Sequence, residues 1–364
     1  MSETPRQTLV TLEIGRFVAA LAVVLYHYSA VIHNAFGTLI LGDMFRAGHV
    51  GVPYFFVLSG FIIYHVHRTD IGRADTWRRF AVKRAIRLYP MYWMIAGAML
   101  LGFILAPGLA GGRSLTAPGV MADLLLLPHK DAILPISWTL RHEIVFYALF
   151  SLAIWFGPRA FWAIGFWIAL SLIASFIVPD DDNYMGLWST ISSPLNLGFG
   201  IGMVVAQAIR RPPLAPPTLM IGVALLSLIG LAGLEWAWGA GVPHAINPLG
   251  KGGDIAYLAA AGLLVYGLVS WESGHALSRA PLWKMLGGAS YILYLVHPPI
   301  GSVVVRVLQK LHVTSPTLIY VIMVIVAIAG AVILHLLVEK PILRILSDMV
   351  NRAIARPAPQ SRPA

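Results

Sequence analysis

The feature that most constrains this chain is a succession of apolar stretches, each long enough to cross a lipid bilayer as a helix. The hydrocarbon core of a bilayer is about 30 Å thick and takes about 20 apolar residues of helix. Of the 364 residues 58% are hydrophobic, which exceeds the roughly half that is usual in soluble domains. The runs predict an all-α polytopic membrane bundle of about ten helices, near residues 9–32, 50–67, 91–108, 137–156, 160–178, 189–209, 217–238, 254–271, 287–308 and 316–337.

The positions of the positive charges predict how this bundle is oriented. With the N-terminus in the cytoplasm, most of the 26 Lys and Arg residues fall in cytoplasmic segments, as the positive-inside rule requires. The densest cluster joins the second and third helices, at residues 68–87. We expect a transmembrane domain over residues 1–343 and a basic, Pro-rich cytoplasmic tail over 344–364. That tail has room for an interfacial helix and a disordered end.

Cysteine is absent and the formal net charge is +10, and both facts limit the chemistry. Without cysteine the chain forms no disulfide, no thiolate metal site and no acyl-cysteine intermediate. The positive charge would indicate nucleic acid in a soluble protein, but here it follows membrane orientation, so no nucleic-acid partner is expected. The acidic trio Asp180, Asp181 and Asp182 favours a solvated turn over a cation site, and no metal centre is predicted.

The first predicted helix carries two ionisable residues, Arg16 and His27. An ionisable residue inside a membrane costs about 2.5–3.5 kcal/mol unless it has a partner or a purpose. Their spacing is about three helical turns, so they share one face and lie about 16 Å apart along the axis. This pattern predicts a polar groove that leads a ligand in from one side. The alternative is structural, with Arg16 paired to Glu13 and His27 hydrogen-bonded within the bundle.

The fourth predicted helix begins with three ionisable residues in succession, which end at Glu143. Counting turns from the helix ends places Glu143 and His27 at similar depth. A carboxylate that orients a histidine is the usual arrangement for a general base, because it fixes the tautomer and stabilises the imidazolium. The alternative is an ion pair of Glu143 with Arg141 or Arg16. The side chains of Glu143 and Arg141 point nearly opposite ways, which predicts different partners.

The ninth predicted helix carries a polar stripe, formed by Ser290, Tyr294 and His297 at positions i, i+4 and i+7. Pro298 and Pro299 follow directly and should kink the helix and free nearby carbonyl groups. A kinked polar stripe that faces the bundle predicts the lining of a cavity. An interfacial belt of Tyr and His is the alternative, which the depth of His297 disfavours.

Six blocks of sequence, from about Leu12 to Leu343 and in the same order, resemble the acyltransferase 3 family of membrane acyltransferases. The blocks are LEIGRFVAALAVVLYH at 12–27, GVPYFFVLSGFIIY at 51–64, FAVKRAIRLYPMYW at 80–93, SWTLRHEIVFYALF at 137–150, SYILYLVHPP at 290–299 and VEKPI at 338–342. The fourth block is most similar to the branch that acetylates exopolysaccharides. Two positions depart from the family pattern, since Glu13 stands where Asp is common and Pro53 replaces an acidic residue. The second departure leaves the acceptor unspecified.

The resemblance implies an acyl-coenzyme A donor supplied from the cytoplasm, and no tightly bound cofactor. It implies a sugar hydroxyl as acceptor, on an extracytoplasmic or lipid-linked polysaccharide, and a multi-pass protein of the bacterial cytoplasmic membrane. Acetyl is the expected acyl group, so acetyl-coenzyme A is the expected donor, and succinyl is the alternative. The oligomeric state is not specified by the sequence.

The resemblance also implies roles for single residues. His27 is expected to act as general base on the acceptor hydroxyl, with Glu143 orienting it and Arg16 beside the path of the donor. Basic side chains are expected to bind the phosphates of coenzyme A, with a positive-inside anchor as the alternative role, and these are Arg78, Arg79, Lys83, Arg84 and Arg87. The candidates for the cavity or the oxyanion site are Ser59, Trp138, Tyr147, Tyr291, Tyr294 and His297.

Three alternatives remain open at the level of the sequence. The acyl group could pass through a covalent acyl-histidine at His27 or His297 before it reaches the sugar. Charged residues inside a helical bundle also mark the pathways of secondary transporters. A scaffold or flippase partner in polysaccharide export would have the same apolar helices and neither activity.

Overall fold

In a computed structural model, the described residues are 9–113, 115–129, 131–177, 186–239, 247–275 and 280–355, and every regular element among them is helical. The helices are α1 (Val10–Phe36), α2 (Gly51–His67), α3 (Trp77–Leu105), α4 (Ala117–Leu124), α5 (Trp138–Phe156), α6 (Phe161–Ile177), α7 (Leu187–Ser192), α8 (Leu197–Ala208), α9 (Pro217–Trp238), α10 (Gly250–Ser273), α11 (Pro281–Lys310), α12 (Pro316–Leu334) and α13 (Lys340–Ala355). The predicted acidic turn at Asp180, Asp181 and Asp182 and the tail beyond residue 355 lie outside the described residues.

Nine of the helices in the described ranges, some with a flanking turn, are long and apolar enough to cross a membrane. They are α1, α2, α3, α5, α6, α9, α10, α11 and α12. Each coincides with one of the predicted apolar runs, which confirms the prediction of an all-α bundle rich in membrane-spanning helices. The largest difference in bounds is at α3, which begins at Trp77 rather than near residue 91. The basic residues before Pro90 are good helix formers, and they extend this helix beyond its apolar part.

The sixth predicted run, 189–209, is not one helix but two short helices, α7 and α8. Pro194 follows Ser193, and a proline disfavours helical geometry in the residue before it. Ser193 accordingly has an extended backbone with ψ 131°. The prediction of one continuous sixth helix was therefore wrong, and α8, with 12 residues, is too short to cross a membrane by itself.

The short helix α8 packs closely against α2. A Cβ atom at Gly60 would collide with the backbone of Phe199, and one at Gly202 would collide with the backbone of Val57 and Phe61. Small residues at such positions let two helix backbones approach within van der Waals contact. This contact fixes the middle of α2, the part of that helix from which Ser59 extends.

Helix α1 packs against α2, α10, α11 and α12, and two of these helices also form hydrogen bonds with it, at its first turn and near its middle. Glu272, in the last turn of α10, accepts hydrogen bonds from the backbone N–H groups of Val10 at 2.7 Å and Thr11 at 2.9 Å. A carboxylate at this position satisfies free donors of the first turn and complements the helix dipole. Farther along, the Tyr320 hydroxyl of α12 donates to the Leu25 carbonyl at 3.1 Å.

The bundle has two ends, which we name after the residues of α1 that lie nearer to them. The Arg16 end holds the start of α1 and the end of α10, together with the stacked rings of Trp77 and Trp155, whose centroids are 4.8 Å apart. The His27 end holds the segment before α2 and the end of α9, where the Trp236 indole donates to the Gly42 carbonyl at 2.8 Å. The long helices connect these two ends.

Helix α12 continues through one π-helical turn, His335–Glu339, into α13. Turns of this type occur often at functional sites, because they change the direction in which side chains point. Here the turn buries the carboxylate of Glu339 completely, with 0% exposed, while α13 packs against α3. The domain boundary predicted at residue 343 falls inside α13, so the tail begins as a continuation of the last long helices.

Candidate active site

His27 of α1 and His297 of α11 lie side by side in the bundle. His297 Nε2 is 3.2 Å from His27 Nδ1, and the two ring centroids are 5.0 Å apart. His27 Nδ1 is also 3.0 Å from the carbonyl oxygen of Val23, and His297 Nδ1 is 3.2 Å from that of Leu293. The polar stripe predicted on α11 therefore meets the groove predicted on α1.

These carbonyl partners determine where the protons lie on both neutral rings. A carbonyl oxygen only accepts hydrogen bonds, so Nδ1 carries the proton in His27 and in His297. His297 Nε2 then holds a lone pair and accepts from His27 Nδ1–H. His27 Nε2 also holds a lone pair, has no hydrogen-bond partner within the described ranges, and belongs to a side chain that is only partly buried. In His27, Nδ1 is thus hydrogen-bonded, and Nε2 is available to accept a proton.

The position of His297 is fixed by contacts on α11 and α1. Helix α11 runs as one element through Pro298 and Pro299, which lack the N–H group that a helix would otherwise provide there. The hydroxyl of Tyr28 donates to the His297 carbonyl at 2.7 Å, and this contact ties α11 to α1. The ring centroid of Tyr294 lies 5.9 Å from that of His297. These contacts hold the imidazole of His297 against His27.

Glu143 does not contact His27, in contrast to the prediction. Its Oε1 accepts a hydrogen bond from the Ser59 hydroxyl at 3.1 Å and another from Tyr147, and these are its partners in the described structure. Helix α5 packs against α2, and the hydrogen bond from Ser59 turns the carboxylate of Glu143 toward that helix. Equal depth along two helices does not determine which way each one faces. His297 occupies the position next to His27 that the prediction gave to Glu143.

Arg141 and His142 have structural partners on the other side of α5. Arg141 forms an ion pair with Asp123 of α4 at 2.9 Å and donates to the His129 carbonyl at 3.0 Å. His142 Nδ1 is 2.8 Å from Asn196 Oδ1. The ion pair anchors the connection between α3 and α5, and Arg141 and Glu143 serve different partners, as the helix spacing predicted.

The remaining cavity candidates lie on two helices, α5 and α11. The Tyr294 hydroxyl is 2.9 Å from Thr139 Oγ1, close to the two histidines. The Tyr291 hydroxyl donates to a backbone carbonyl of α3 at 2.7 Å. The ring of Trp138 packs edge-on against His142, with the centroids 5.7 Å apart. Of these candidates, Tyr294 lies beside the histidine pair, whereas Tyr291 and Trp138 support neighbouring helices.

A polar cavity of about 480 Å³ opens at the Arg16 end, between α1 and α2. Arg16 and Glu13 line it from α1, and His65 and Arg68 line it from the end of α2. Arg16 Nη1 is 3.3 Å from the carboxylate of Glu13, so the structural pair considered as the alternative is present. The same guanidinium also borders open space, and Arg16 therefore has both a partner and an accessible side.

The predicted phosphate-binding cations differ in whether a carboxylate neutralises their charge. Arg87 Nη1 is 2.6 Å from Glu339, whose other carboxylate oxygen is 2.6 Å from His335 Nδ1. Arg84 has no hydrogen bond or ion pair in the described part of the chain, and its Nε is buried. Arg84 therefore offers a less compensated charge than Arg87. The three other predicted cations are exposed or partly buried, and these are Arg78, Arg79 and Lys83.

A helical membrane bundle that holds a histidine with a free ring nitrogen is the setting expected of a membrane acyltransferase, and the chain belongs to the acyltransferase 3 family. The acyltransferase-domain model of that family matches residues 9–336, which confirms the resemblance found in the sequence. The chain is 30% identical over 319 residues to the exopolysaccharide production protein ExoZ of Rhizobium meliloti (strain 1021), covering 83% of this chain and 92% of that protein. It is 26% identical over 381 residues to the acyltransferase MdmB of Streptomyces mycarofaciens, covering 91% and 90%. No solved structure matches the chain.

Proposed function

We propose that this membrane acyltransferase moves an acyl group from acyl-coenzyme A to a sugar hydroxyl, with acetyl as the first choice of acyl group and succinyl as the second. The donor enters from the cytoplasm at the Arg16 end, where the positive charges are dense. The acceptor is an extracytoplasmic or lipid-linked polysaccharide that approaches from the His27 end of a protein of the bacterial cytoplasmic membrane. Membership of the family supports acyl transfer, and the relative ExoZ, an exopolysaccharide production protein, supports a polysaccharide acceptor.

The observation that carries the proposal is the free Nε2 of His27. The acceptor hydroxyl gives its proton to Nε2, and the oxygen attacks the carbonyl carbon of the thioester. The carbon–sulfur bond then breaks, the ester forms, and the coenzyme A sulfur leaves as a thiol after His27 returns the proton. His297 accepts from His27 Nδ1–H at 3.2 Å, and this hydrogen bond becomes stronger while His27 is an imidazolium.

Polar side chains mark a path for the donor from the Arg16 end to His27. The nucleotide would stay in the basic region near Arg84, and the pantetheine arm would follow α1 past Arg16. Glu143, Ser59 and Tyr147 form a hydrogen-bonded group farther along, beside α2 and α5. The thioester would then arrive at His27, while the charged phosphates stay outside the apolar core.

The absence of cysteine makes a direct test possible, because every thiol detected by a thiol reagent then comes from coenzyme A. The purified protein is incubated with acetyl-coenzyme A and with a polysaccharide acceptor. The polysaccharide is taken from the cells that contain this protein, and its esters are removed beforehand with mild alkali. We expect thiol release that requires the polysaccharide and equals the acetate found on it by mass analysis. Thiol release without acetylated product, or no release, would contradict the proposal. Succinyl-coenzyme A in the same assay decides between the two acyl groups.

Replacement of Arg84 with Gln is expected to raise the KM for acetyl-coenzyme A about tenfold. A hydrogen bond to a charged group contributes about 1.5–3 kcal/mol, and about 1.4 kcal/mol corresponds to a tenfold change in affinity. The matched control is Arg73→Gln, because Arg73 is an exposed cation of the same basic segment that is paired with Asp75 at 3.5 Å. An unchanged KM in the Arg84 variant would remove Arg84 from the donor site.

A further inference from the structure

A second polar cluster lies at the His27 end, where it shares the neighbour Tyr26 with His27. His49 Nε2 is 2.8 Å from Oε1 of Glu235, and the Tyr257 hydroxyl donates to Oε2 of Glu235 at 2.8 Å. We call His49, Glu235 and Tyr257 the His49 cluster. The ring of Tyr26 neighbours both histidines, with its centroid 5.0 Å from that of His27 and 5.8 Å from that of His49. The proposed mechanism makes no use of this cluster.

Glu235 is buried on the side of α9 that packs against α10. Helix α9 leaves most of its side chains exposed, and Ala224 and Glu235 are its buried residues. Glu235 has 1% of its side chain exposed, on a helix whose other faces are apolar. A charged residue within a membrane span is costly, so its presence indicates a specific partner or a function. The partners are His49 and Tyr257, which satisfy both carboxylate oxygens.

The segment that carries His49 is fastened to two helices. A Cβ atom at Gly48 would collide with the backbone of Ala22 and with Tyr26, so a glycine lets this segment lie directly on α1. Arg46 Nη1 donates to the Gly239 carbonyl at 3.1 Å, which ties the segment to the end of α9. His49 is therefore held beside Tyr26 by packing as well as by Glu235.

The carboxylate of Glu235 forms a hydrogen bond with one ring nitrogen of His49 and leaves the other nitrogen available. A carboxylate accepts hydrogen bonds, so Nε2 carries a proton and Nδ1 holds the lone pair in the neutral ring. Nδ1 has no hydrogen-bond partner among the residues that the structure describes, and 21% of the side chain is exposed. His49 thus presents a well-oriented polar nitrogen close to Tyr26.

We propose that the His49 cluster and Tyr26 form the subsite for the acceptor sugar, an inference that rests on the proposed function. A sugar residue presents several hydroxyl groups around an apolar ring. One hydroxyl reacts at His27 Nε2, the ring lies against Tyr26, and a second hydroxyl binds His49 Nδ1. Pairing a few oriented polar groups with an aromatic surface is typical of small-molecule sites. His49 is then a binding residue for the acceptor, and Glu235 and Tyr257 are positioning residues that act through it.

The test measures the KM values of both substrates in the assay with acetyl-coenzyme A and ester-free polysaccharide. His49→Gln is expected to raise the KM for polysaccharide about tenfold and to leave the KM for acetyl-coenzyme A unchanged. Tyr257→Phe, which removes one of the two hydrogen bonds to Glu235, is expected to raise the polysaccharide KM severalfold. The matched control is Tyr266→Phe, on the same helix and outside the cluster, for which both KM values should equal those of the wild type.

An unchanged polysaccharide KM in His49→Gln, or an equal rise in both KM values, would overturn the subsite. If the His49 variant does not fold, as judged by its thermal unfolding midpoint, Tyr257→Phe compared with Tyr266→Phe decides by the same criterion. A wild-type protein that does not acetylate the polysaccharide would refute the proposed function itself, so the two failures are distinguishable.

Discussion

Replacement of His27 with Ala is expected to lower the rate of acyl transfer by about 10²–10⁴-fold, the usual contribution of general acid–base catalysis. The variant loses the nitrogen that accepts the proton of the sugar hydroxyl, and with it the hydrogen bond to His297 Nε2. Thiol release and acetylated product at saturating acceptor measure the effect. The KM for acetyl-coenzyme A should stay unchanged, because Arg16 and Arg84 remain in place.

The matched control for this experiment is His33→Ala, since His33 lies on the same helix and outside the contacts of the histidine pair. It should retain the wild-type rate. A His27 variant with full activity would end the assignment of His27 as the base. A His27 variant that had lost its folded structure would be recognised from its thermal unfolding, and His27→Gln would then replace it.

Replacement of Arg141 with Met is expected to destabilise the folded protein by about 3–5 kcal/mol, because it leaves the charge of Asp123 buried and unpaired. The two side chains have 1% and 0% of their surface exposed. The loss appears as a lower thermal unfolding midpoint in detergent and as less protein in the membrane. Activity per folded molecule should change little, since Arg141 faces away from His27 and Glu143.

The double variant Arg141→Met with Asp123→Asn distinguishes the effect of the unpaired buried charge on stability from the effect of lost packing. The side-chain oxygen of Asn can still accept the hydrogen bond that Asp123 receives from the N–H of Ile133 at 2.9 Å. Since no buried charge remains, this variant should be more stable than Arg141→Met alone. If the double variant is less stable than the single one, the unpaired charge is not the cause of the destabilisation.

The membrane-spanning helices were largely predictable, because a bilayer requires long apolar runs whatever the tertiary structure is. The errors have local causes that hydropathy does not detect. Pro194 interrupts an apolar run that is otherwise continuous, and the basic residues before Pro90 extend α3 without being apolar. The contact of α8 with α2 depends on glycines whose role becomes clear only when the two backbones meet.

The candidate site was predictable in part. His27 stood out as an ionisable residue within a membrane span, and His297 stood out on a polar stripe. Turn counting gave the depth of Glu143 but not the rotation of α5 about its axis, so its partners Ser59 and Tyr147 were missed as a group. The contact between the two histidines joins residues 270 positions apart, which no local pattern encodes.

Two buried carboxylates were missed for different reasons. Glu339 lies at the end of the last apolar run, and its pairing with Arg87 joins residues 252 positions apart. Glu235 gave a visible signal, since it is the one acidic residue in the apolar run 217–238. An acidic residue in such a run indicates a partner or a function. Applied to Glu235, this rule would have marked it as a candidate site residue, but not its partner His49, which lies 186 positions away.

Glu272 holds α1 at its first turn and Tyr320 holds it at Leu25, so the stretch of helix from Arg16 to His27 can serve as a fixed measure of length. Under the proposed function, the phosphates of the donor stay near Arg84, and the interval of about 16 Å between Arg16 and His27 is the stretch of α1 that the donor arm has to span. The enzyme would then select its donor by the distance between phosphate and thioester. The acyl group lies beyond the thioester and outside this interval. The enzyme would therefore select the length of the donor arm and the identity of the acyl group separately.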